Sequence, residues 1–112
     1  MGIEHFPEIE TFQKLPRKVI VKGGSSGFDP KGRPELRGIV INNIGHPIRD
    51  AKVSIVIFDE QEIPILNKST SPDPSALPQG GIGAFTFTLD DYDQEIRNYY
   101  LYMNWKYDDS NW

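Results

Sequence analysis

Apolar and polar residues alternate along several short segments of the chain, and the clearest alternation ends at residue 89. Phe85, Phe87 and Leu89 are separated by Thr86 and Thr88. Because successive side chains of a β-strand point to opposite faces, this spacing places the three large apolar side chains on one side of a strand. We therefore predict a core strand here, with the two threonines facing outward.

Residues 36–42, 52–59 and 99–107 show the same two-residue period, and each is predicted to be a strand with one apolar face. The positions that share one face are Leu36, Gly38 and Val40 in the first segment, Val53, Ile55 and Ile57 in the second, and Leu101, Met103 and Trp105 in the third. The segment 42–47, between the first two of these strands, is rich in asparagine and glycine, which favours a turn. We predict that these two strands form a hairpin or a connection that crosses between sheets.

The remaining strand and loop signals are weaker. The β-branched run at 19–22 predicts a first, edge strand. Residues 62–67 predict an edge strand or a bulge, because Pro64 cannot donate a hydrogen bond to a sheet. The stretches 23–34 and 71–81 are rich in glycine, serine and proline and are predicted to be loops.

Strands joined by loops, with no long helix, favour an all-β architecture. We predict an antiparallel β-sandwich of about six to eight strands within residues 19–112. The segment 90–98 is predicted to add one helical turn with Asp90 as its N-cap, and we identify no internal repeat. Residues 1–18 lack a strand or helix period and contain two prolines, so they are predicted to be an extended arm or linker.

Composition narrows the class of protein. The 112 residues are 38% hydrophobic and 25% charged, as expected for a globular domain with one core. No apolar run approaches the roughly 18 residues of a membrane-spanning helix. The absence of cysteine excludes disulfides and thiolate metal sites, but it leaves the cellular compartment open.

Charge is distributed unevenly along the chain. Residues 14–37 carry seven lysines and arginines against two acids, whereas residues 59–112 carry ten acids against three bases. Nucleic-acid binding requires a cationic surface that dominates the local field. The acidic C-terminal half therefore predicts that nucleic acid is not a partner.

One set of spaced residues forms a pattern across the last two thirds of the chain. It comprises the run Gly38-Ile39-Val40-Ile41-Asn42, Gly45 and Pro47, Val53, Ile55 and Ile57-Phe58-Asp59, Leu77-Pro78 and Gly80, Phe85 and Phe87, and Trp105. This pattern resembles the FxLYD-type family of small immunoglobulin-like domains found on prokaryotic exported or membrane-attached proteins. The resemblance implies an immunoglobulin-like β-sandwich in an extracytoplasmic accessory domain, and it transfers no catalytic residue.

Aromatic residues provide a candidate binding surface. Strand alternation directs Tyr100 and Tyr102 outward from the closing strand, and Phe58 outward from the strand at 52–59. If these strands share a sheet, the three rings form a stripe with polar tips, a composition favoured at protein interfaces and at sugar-stacking surfaces. The alternative is that the N-terminal arm or a loop covers the rings.

The acidic segment after residue 89 is a candidate calcium site. Its spacing begins like an EF-hand, but Ile96 stands where that loop needs glycine, and Tyr102 where it needs a bidentate glutamate, so an EF-hand is excluded. A looser Ca²⁺ site remains a hypothesis, against the alternative of a solvated acidic turn. Its ligands would be Asp90, Asp91, Asp93 and Glu95.

Enzymatic chemistry has one candidate base outside the N-terminal arm, His46. Its acidic neighbours Asp50 and Asp59 follow no diagnostic spacing, and no GxSxG motif accompanies it. The alternative is a histidine that belongs to the turn before Pro47.

The function predicted from the sequence is that of a non-enzymatic, extracytoplasmic immunoglobulin-like module, acting as an interaction domain or a spacer. It is expected to bind a protein partner and to need no cofactor. A carbohydrate- or calcium-binding accessory module is the alternative. A hydrolase centred on His46 is a second alternative.

Overall fold

The computed structural model describes residues 17–109, and within that range the chain forms six β-strands and no helix. The strands are β1 (Val19–Phe28), β2 (Pro34–Asn42), β3 (Ile48–Phe58), β4 (Pro64–Thr70), β5 (Ile82–Thr88) and β6 (Tyr99–Tyr107). The predicted all-β class is confirmed. The predicted arm lies outside the described residues, except for Arg17 and Lys18, which bend just before β1.

The strands form two antiparallel sheets of three strands each. The first sheet has the order β1-β2-β5 and the second the order β4-β3-β6. The sheets approach each other along two sides, where β1 lies near β6 and β4 near β5. The segment after β2 therefore crosses from one sheet to the other, which was one of the two predicted arrangements, and the two layers form a β-sandwich.

The hydrophobic core lies between the two inward faces. Phe85, Phe87 and Leu89 are buried as predicted, and so are Leu36 and Val40 of β2 and Val53, Ile55 and Ile57 of β3. Leu77 and Ile96 complete the core from loops. The predicted inward side chains of β6 are partly buried and pack against the same cluster. The inward faces predicted for β3, β5 and β6 are thus confirmed, and the buried face of β2 is the one that carries Leu36 and Val40.

Pro64 begins β4, which is an edge strand of the second sheet, as predicted. It pairs with Phe58 next to a register shift between Ile57 and Phe58. A proline at a bulged edge removes no hydrogen bond from the ladder.

The prediction of a long loop from residue 23 was wrong, because β1 continues to Phe28. Gly23 lies against the hydroxyl of Tyr99, where a side chain would collide with β6, and Gly24 lies against the carbonyl of Arg37, where a Cβ would make a tight contact with β2. A register shift separates Gly23 from Ser26 in the pairing with β2. These glycines permit close packing of strands, a use that composition does not distinguish from a turn.

The predicted helical turn at 90–98 was also wrong, because the segment forms bends without a helix. Instead of capping a helix, the Asp90 carboxylate accepts a hydrogen bond from Arg33 Nη1 at 2.9 Å. Ile96 is buried in the core, and its carbonyl accepts a hydrogen bond from Ser26 Oγ at 2.9 Å. The segment 90–98 is therefore held by contacts with β1 and the core, and not by the local backbone hydrogen bonds of a helix.

The β1–β2 and β3–β4 hairpins turn on the same motif, which is Phe-Asp, four residues, then Pro-x-Leu, starting at residues 28 and 58. In each turn one carboxylate oxygen of the aspartate accepts hydrogen bonds from two backbone N–H groups. For Asp29 the donors are two and four residues later, at 3.0 and 2.8 Å, and for Asp59 the corresponding distances are 2.8 and 2.9 Å. The third residue after each aspartate has a positive φ, 82° at Gly32 and 63° at Glu62. The hairpins are therefore a structural repeat, contrary to our interpretation of the sequence.

Candidate functional site

Pairing of β3 with β6 brings the predicted aromatic residues to one surface. Tyr100 lies opposite Val56, and Tyr102 lies opposite Ser54. The backbone N–H of Phe58 donates to the carbonyl of residue 98 at 2.9 Å. Because these positions alternate with the buried ones of the same strands, all three rings lie on the outward side of the second sheet. We call Phe58, Tyr100 and Tyr102 the aromatic face.

The two tyrosines of the aromatic face are stacked. Their ring centroids lie 6.3 Å apart, with 23° between the planes. Tyr100 is 62% exposed, and the Tyr102 hydroxyl lies 3.5 Å from the amide nitrogen of Asn67 on β4. Stacking orients both rings and leaves Tyr100 exposed, and such an arrangement suits a preformed binding surface.

The centre of this sheet surface is uncharged. Ser54 and Val56 lie between the aromatic residues and β4. The Ser54 hydroxyl bonds to that of Ser69 at 2.8 Å. Depletion of charge at the centre, with aromatic rings present, is the compositional signal of a protein interface.

A groove with a volume of about 510 Å³ adjoins the aromatic face at Phe58. Its apolar wall is formed by Phe58, Ile65 and Tyr92, and amide side chains at Gln61, Gln94 and Asn98 contribute to the lining, together with several charged residues. Neither Tyr92 nor the groove is predicted by the sequence, because the groove depends on how the irregular segment after β5 packs beside the β3–β4 turn. The one feature of the sequence that could have indicated this site is Tyr92 itself, a single aromatic residue within an acidic stretch.

Three of the four acids of the calcium hypothesis form ion pairs with three different basic residues. Asp90 lies 2.9 Å from Arg33, Asp91 lies 3.6 Å from Lys68, and Glu95 lies 3.2 Å from Arg97. Among residues 17–109, no three acidic or histidine side chains are grouped so that they could hold a metal ion. The calcium hypothesis, which also included Asp93, therefore rests on its sequence pattern alone.

Asp29 and Asp90 both bind the guanidinium group of Arg33. Arg33 Nε donates to Asp29 Oδ2 at 2.8 Å, and Arg33 Nη1 donates to Asp90 Oδ1 at 2.9 Å. The pKa of Asp29 is held below its usual value of 3.8, first by the backbone N–H of Arg33 and then by the guanidinium and the backbone N–H of Lys31, against the opposing effect of burial. This cluster fastens the β1–β2 turn to the segment after β5.

The lowered pKa of Asp29 predicts an acid-sensitive contribution to stability. Well above pH 3.8 the carboxylate is ionised in both folded and unfolded chains, so its full contribution is present. Below pH 3.8 the unfolded chain binds a proton at this carboxyl more readily than the folded chain does, which favours unfolding. The contribution of Asp29 to stability is therefore lost as the pH falls through the lower folded-state pKa. We expect urea unfolding to show wild type more stable than Asp29→Asn at neutral pH, with the difference shrinking below pH 3.8.

Thr86→Ala, an exposed substitution on β5, serves as the control and should follow the pH dependence of the wild type. A difference between wild type and Asp29→Asn that stays constant on acidification would contradict this prediction.

His46 lies at the end of the sandwich near the end of β6. Its ring contacts Tyr107 edge-on, with centroids 4.9 Å apart, and its Nε2 lies 3.2 Å from Asp109 Oδ1. Of the acids considered from the sequence, Asp50 pairs with Arg49 and Asp59 accepts backbone hydrogen bonds of its own turn. The structure thus gives His46 a different acidic neighbour, and the hydrolase hypothesis stays a prediction without added geometric support.

The fold defines this protein as an all-β domain of two facing three-stranded antiparallel sheets. No protein-family model, no curated protein and no solved structure matches the chain. Within residues 17–109, no helix is long and apolar enough to cross a membrane.

Proposed function

We propose that this chain is a non-enzymatic, immunoglobulin-like interaction module that binds a protein partner through the aromatic face. The main observation in support of this proposal is that Tyr100 is 62% exposed while it stacks on Tyr102. Both rings lie on a sheet surface whose centre has no charge. Burying two oriented rings on binding gives a large apolar area at little cost in side-chain entropy. The tyrosine hydroxyls supply polar contacts at the edge of such an interface.

The proposal includes an extracytoplasmic location and an accessory role, either as an interaction domain or as a spacer. Support for the location comes from the residue pattern between Gly38 and Trp105 that resembles exported immunoglobulin-like domains. Support for the immunoglobulin-like architecture comes from the same pattern together with the two antiparallel sheets. A spacer needs no binding surface, so the exposed aromatic face favours the interaction role.

A photo-crosslinking amino acid tests the protein partner directly. Replacing Tyr100 by p-benzoyl-phenylalanine keeps an aromatic ring on the aromatic face, and irradiation of producing cells is expected to yield a discrete crosslinked protein. The matched control carries the same amino acid in place of Thr86, which is exposed on the outward side of the other sheet. Equal crosslinking from both positions, or none from position 100, would contradict the proposal.

A double substitution, Tyr100→Ser/Tyr102→Ser, separates binding from folding. Because Tyr100 is exposed and cross-strand contacts of this kind contribute about 0.2–1 kcal/mol each, the melting temperature should fall only slightly. Purified variant should no longer compete for the crosslinked partner. A collapse in stability would show that the tyrosines hold the fold together and would contradict a binding role.

A carbohydrate is the second candidate ligand, and the groove beside Phe58 favours it. Phe58 and Tyr92 offer aromatic surface for a sugar ring, and the amides of Gln61, Gln94 and Asn98 offer donors and acceptors within the same groove. Titration with oligosaccharides, followed by amide chemical shifts, should move Phe58 and Tyr92 if this candidate is right. An absence of shifts at millimolar sugar would remove it.

A further inference from the structure

The β1–β2 and β3–β4 turns have the same backbone hydrogen bonds but differ at one side chain. The N–H of Asp29 donates to the carbonyl of Arg33 at 2.9 Å, and the N–H of Asp59 donates to the carbonyl of Ile63 at 2.9 Å. Arg33 and Ile63 each lie four residues after the aspartate of their turn. The two carboxylates therefore lie in equivalent backbone surroundings, but only the first turn supplies a guanidinium.

The first turn shows how a guanidinium binds this motif. Asp29 uses Oδ1 to accept from the backbone N–H groups of its turn, which leaves Oδ2 to accept from Arg33 Nε at 2.8 Å. Arg33 Nη1 extends to Asp90 in the segment after β5, at 2.9 Å. One planar group thus joins the turn to that segment through charge-assisted hydrogen bonds, for which arginine has the right geometry.

The second turn leaves the corresponding carboxylate oxygen open. Asp59 Oδ1 accepts the N–H groups of Gln61 and Ile63. Within residues 17–109, Asp59 Oδ2 accepts no hydrogen bond and Asp59 forms no ion pair. The side chain of Ile63 is 56% exposed and has no donor. Because Asp59 lines the groove, the groove contains an acceptor of the kind that the chain satisfies by itself in the first turn.

The other residues of the groove also suit a cation. Three acids and one base line it, which gives it a net negative charge: Asp59, Glu60, Glu95 and Arg97. The base is paired with Glu95 at 3.2 Å, whereas Glu60 forms no ion pair within the described part of the chain. The rings of Phe58 and Tyr92 in the wall offer surfaces on which a planar cation stacks. A neutral sugar would gain nothing from the excess of carboxylates.

We infer that the groove binds an arginine side chain of the protein partner, whose guanidinium donates to Asp59 as Arg33 donates to Asp29. The inference rests on the proposed function, since it assigns the chemistry of the partner. The groove adjoins the aromatic face at Phe58, so one partner surface can cover both. That surface carries an arginine beside apolar groups, and its positive charge is attracted by the net charge of −4 on this chain.

A small probe tests the groove without the partner. Titration with Nα-acetyl-arginine methylamide at millimolar concentrations is expected to move the amide signals of Asp59, Glu60 and Tyr92 in nuclear magnetic resonance spectra. The citrulline analogue has the same shape without the charge, and it should bind about tenfold more weakly, because it forms no charge-assisted hydrogen bond. The lysine analogue should also bind more weakly, since an ammonium does not stack as a plane. Equal binding of either analogue, or shifts with a neutral oligosaccharide and none with the arginine probe, would overturn the inference.

Two variants locate the binding at Asp59. Asp59→Asn keeps an oxygen for the two turn N–H groups but removes the charge, so the arginine probe should bind about tenfold more weakly. Ile63→Arg supplies a guanidinium from the position that Arg33 has in the first turn, and it should fill the site and abolish binding of the probe. The matched control Asp93→Asn removes a neighbouring charge that does not line the groove, and its affinity should be that of the wild type. Unchanged binding in Ile63→Arg, or an equal loss in Asp93→Asn, would overturn the inference.

The crosslinking assay distinguishes failure of this inference from failure of the proposed function. With p-benzoyl-phenylalanine at position 100, adding Asp59→Asn or Ile63→Arg should lower the yield of the crosslinked protein several-fold, whereas adding Asp93→Asn should not. A yield that none of these substitutions changes would overturn the inference and leave the proposed function intact. An absence of any crosslinked protein from the chain with wild-type residues at 59 and 63 would contradict the proposed function, and with it the assignment of the arginine to a protein partner, even if the probe binds.

Discussion

Replacing Gly38 by alanine is expected to lower the free energy of unfolding by about 3 kcal/mol, since inserting a methyl group into a filled site forces backbone and side chains apart. Gly38 sits on the inward side of β2, where a Cβ would overlap the Phe85 ring and the carbonyl oxygen of Lys22. The carbonyl belongs to the β1–β2 ladder and has little freedom to move. Urea unfolding followed by circular dichroism measures the loss.

Gly27→Ala is the matched control for this substitution. Gly27 also lies in a strand of the first sheet, but nothing lies within 4 Å of a Cβ built there. We expect a change of less than about 1 kcal/mol, in the range of substitutions that disturb no packing. Equal losses for the two variants would mean that glycine matters here for its backbone, not for the space beneath Phe85.

Replacing Asn42 by leucine is expected to lower the free energy of unfolding by roughly 3 kcal/mol, because buried polar groups left without partners cost about 1–3 kcal/mol each. Asn42 is fully buried at the end of β2. Its Nδ2 lies 2.8 Å from the carbonyl of His46 and 2.9 and 3.1 Å from those of Leu77 and Pro78. Its Oδ1 accepts from the N–H of Ile44 at 3.1 Å.

The isosteric variant Asn42→Asp isolates the hydrogen-bonding role from side-chain volume. A carboxylate would face three carbonyl oxygens without a proton to donate, so its folded-state pKa should be raised and the variant should be least stable at neutral pH. Stability should partly return as the pH falls and the group takes up a proton.

Asn104→Leu, an exposed position on β6, is the control for both Asn42 variants and should change stability by less than about 0.5 kcal/mol. A similarly small loss at Asn42 would show that the hydrogen bonds of its amide are replaceable by apolar packing.

The core strands were predictable because their alternation is strict. In β5, Phe85 and Phe87 leave no ambiguity about which face is buried, and the same holds for Val53, Ile55 and Ile57 in β3. These are local signals, since the period of a strand is contained in five or six consecutive residues. A strand can therefore be predicted from these signals without knowing which strands it pairs with.

The errors came from residues whose role is set by distant neighbours. Gly23 was interpreted as part of a loop because the sequence does not show that Tyr99 packs against it. Asp90 was interpreted as a helix cap because the sequence does not show that Arg33 lies 2.9 Å away. Glycine and aspartate are common in turns, and a composition rule assigns them there whenever their tertiary contacts are unknown.

The candidate site was partly predictable for the same reason. Alternation alone predicted that Tyr100 and Tyr102 lie on the outward side of β6. They share a surface with Phe58 only if β3 and β6 pair, and the structure shows that pairing. Tyr92 and the groove could not be predicted, because they arise from an irregular segment anchored by Ile96. An irregular segment has no period from which a buried side can be deduced.

The repeated Phe-Asp turn has a consequence for how the chain reaches its native state. Each of the two hairpins closes between residues only six positions apart, since Phe28 pairs with Pro34 and Phe58 with Pro64. Hairpin contacts as local as these form within microseconds. The strands β5 and β6 add to them only by closing much longer loops, which is slower. Folding can therefore start at two independent points, and the sandwich is completed when the C-terminal strands arrive.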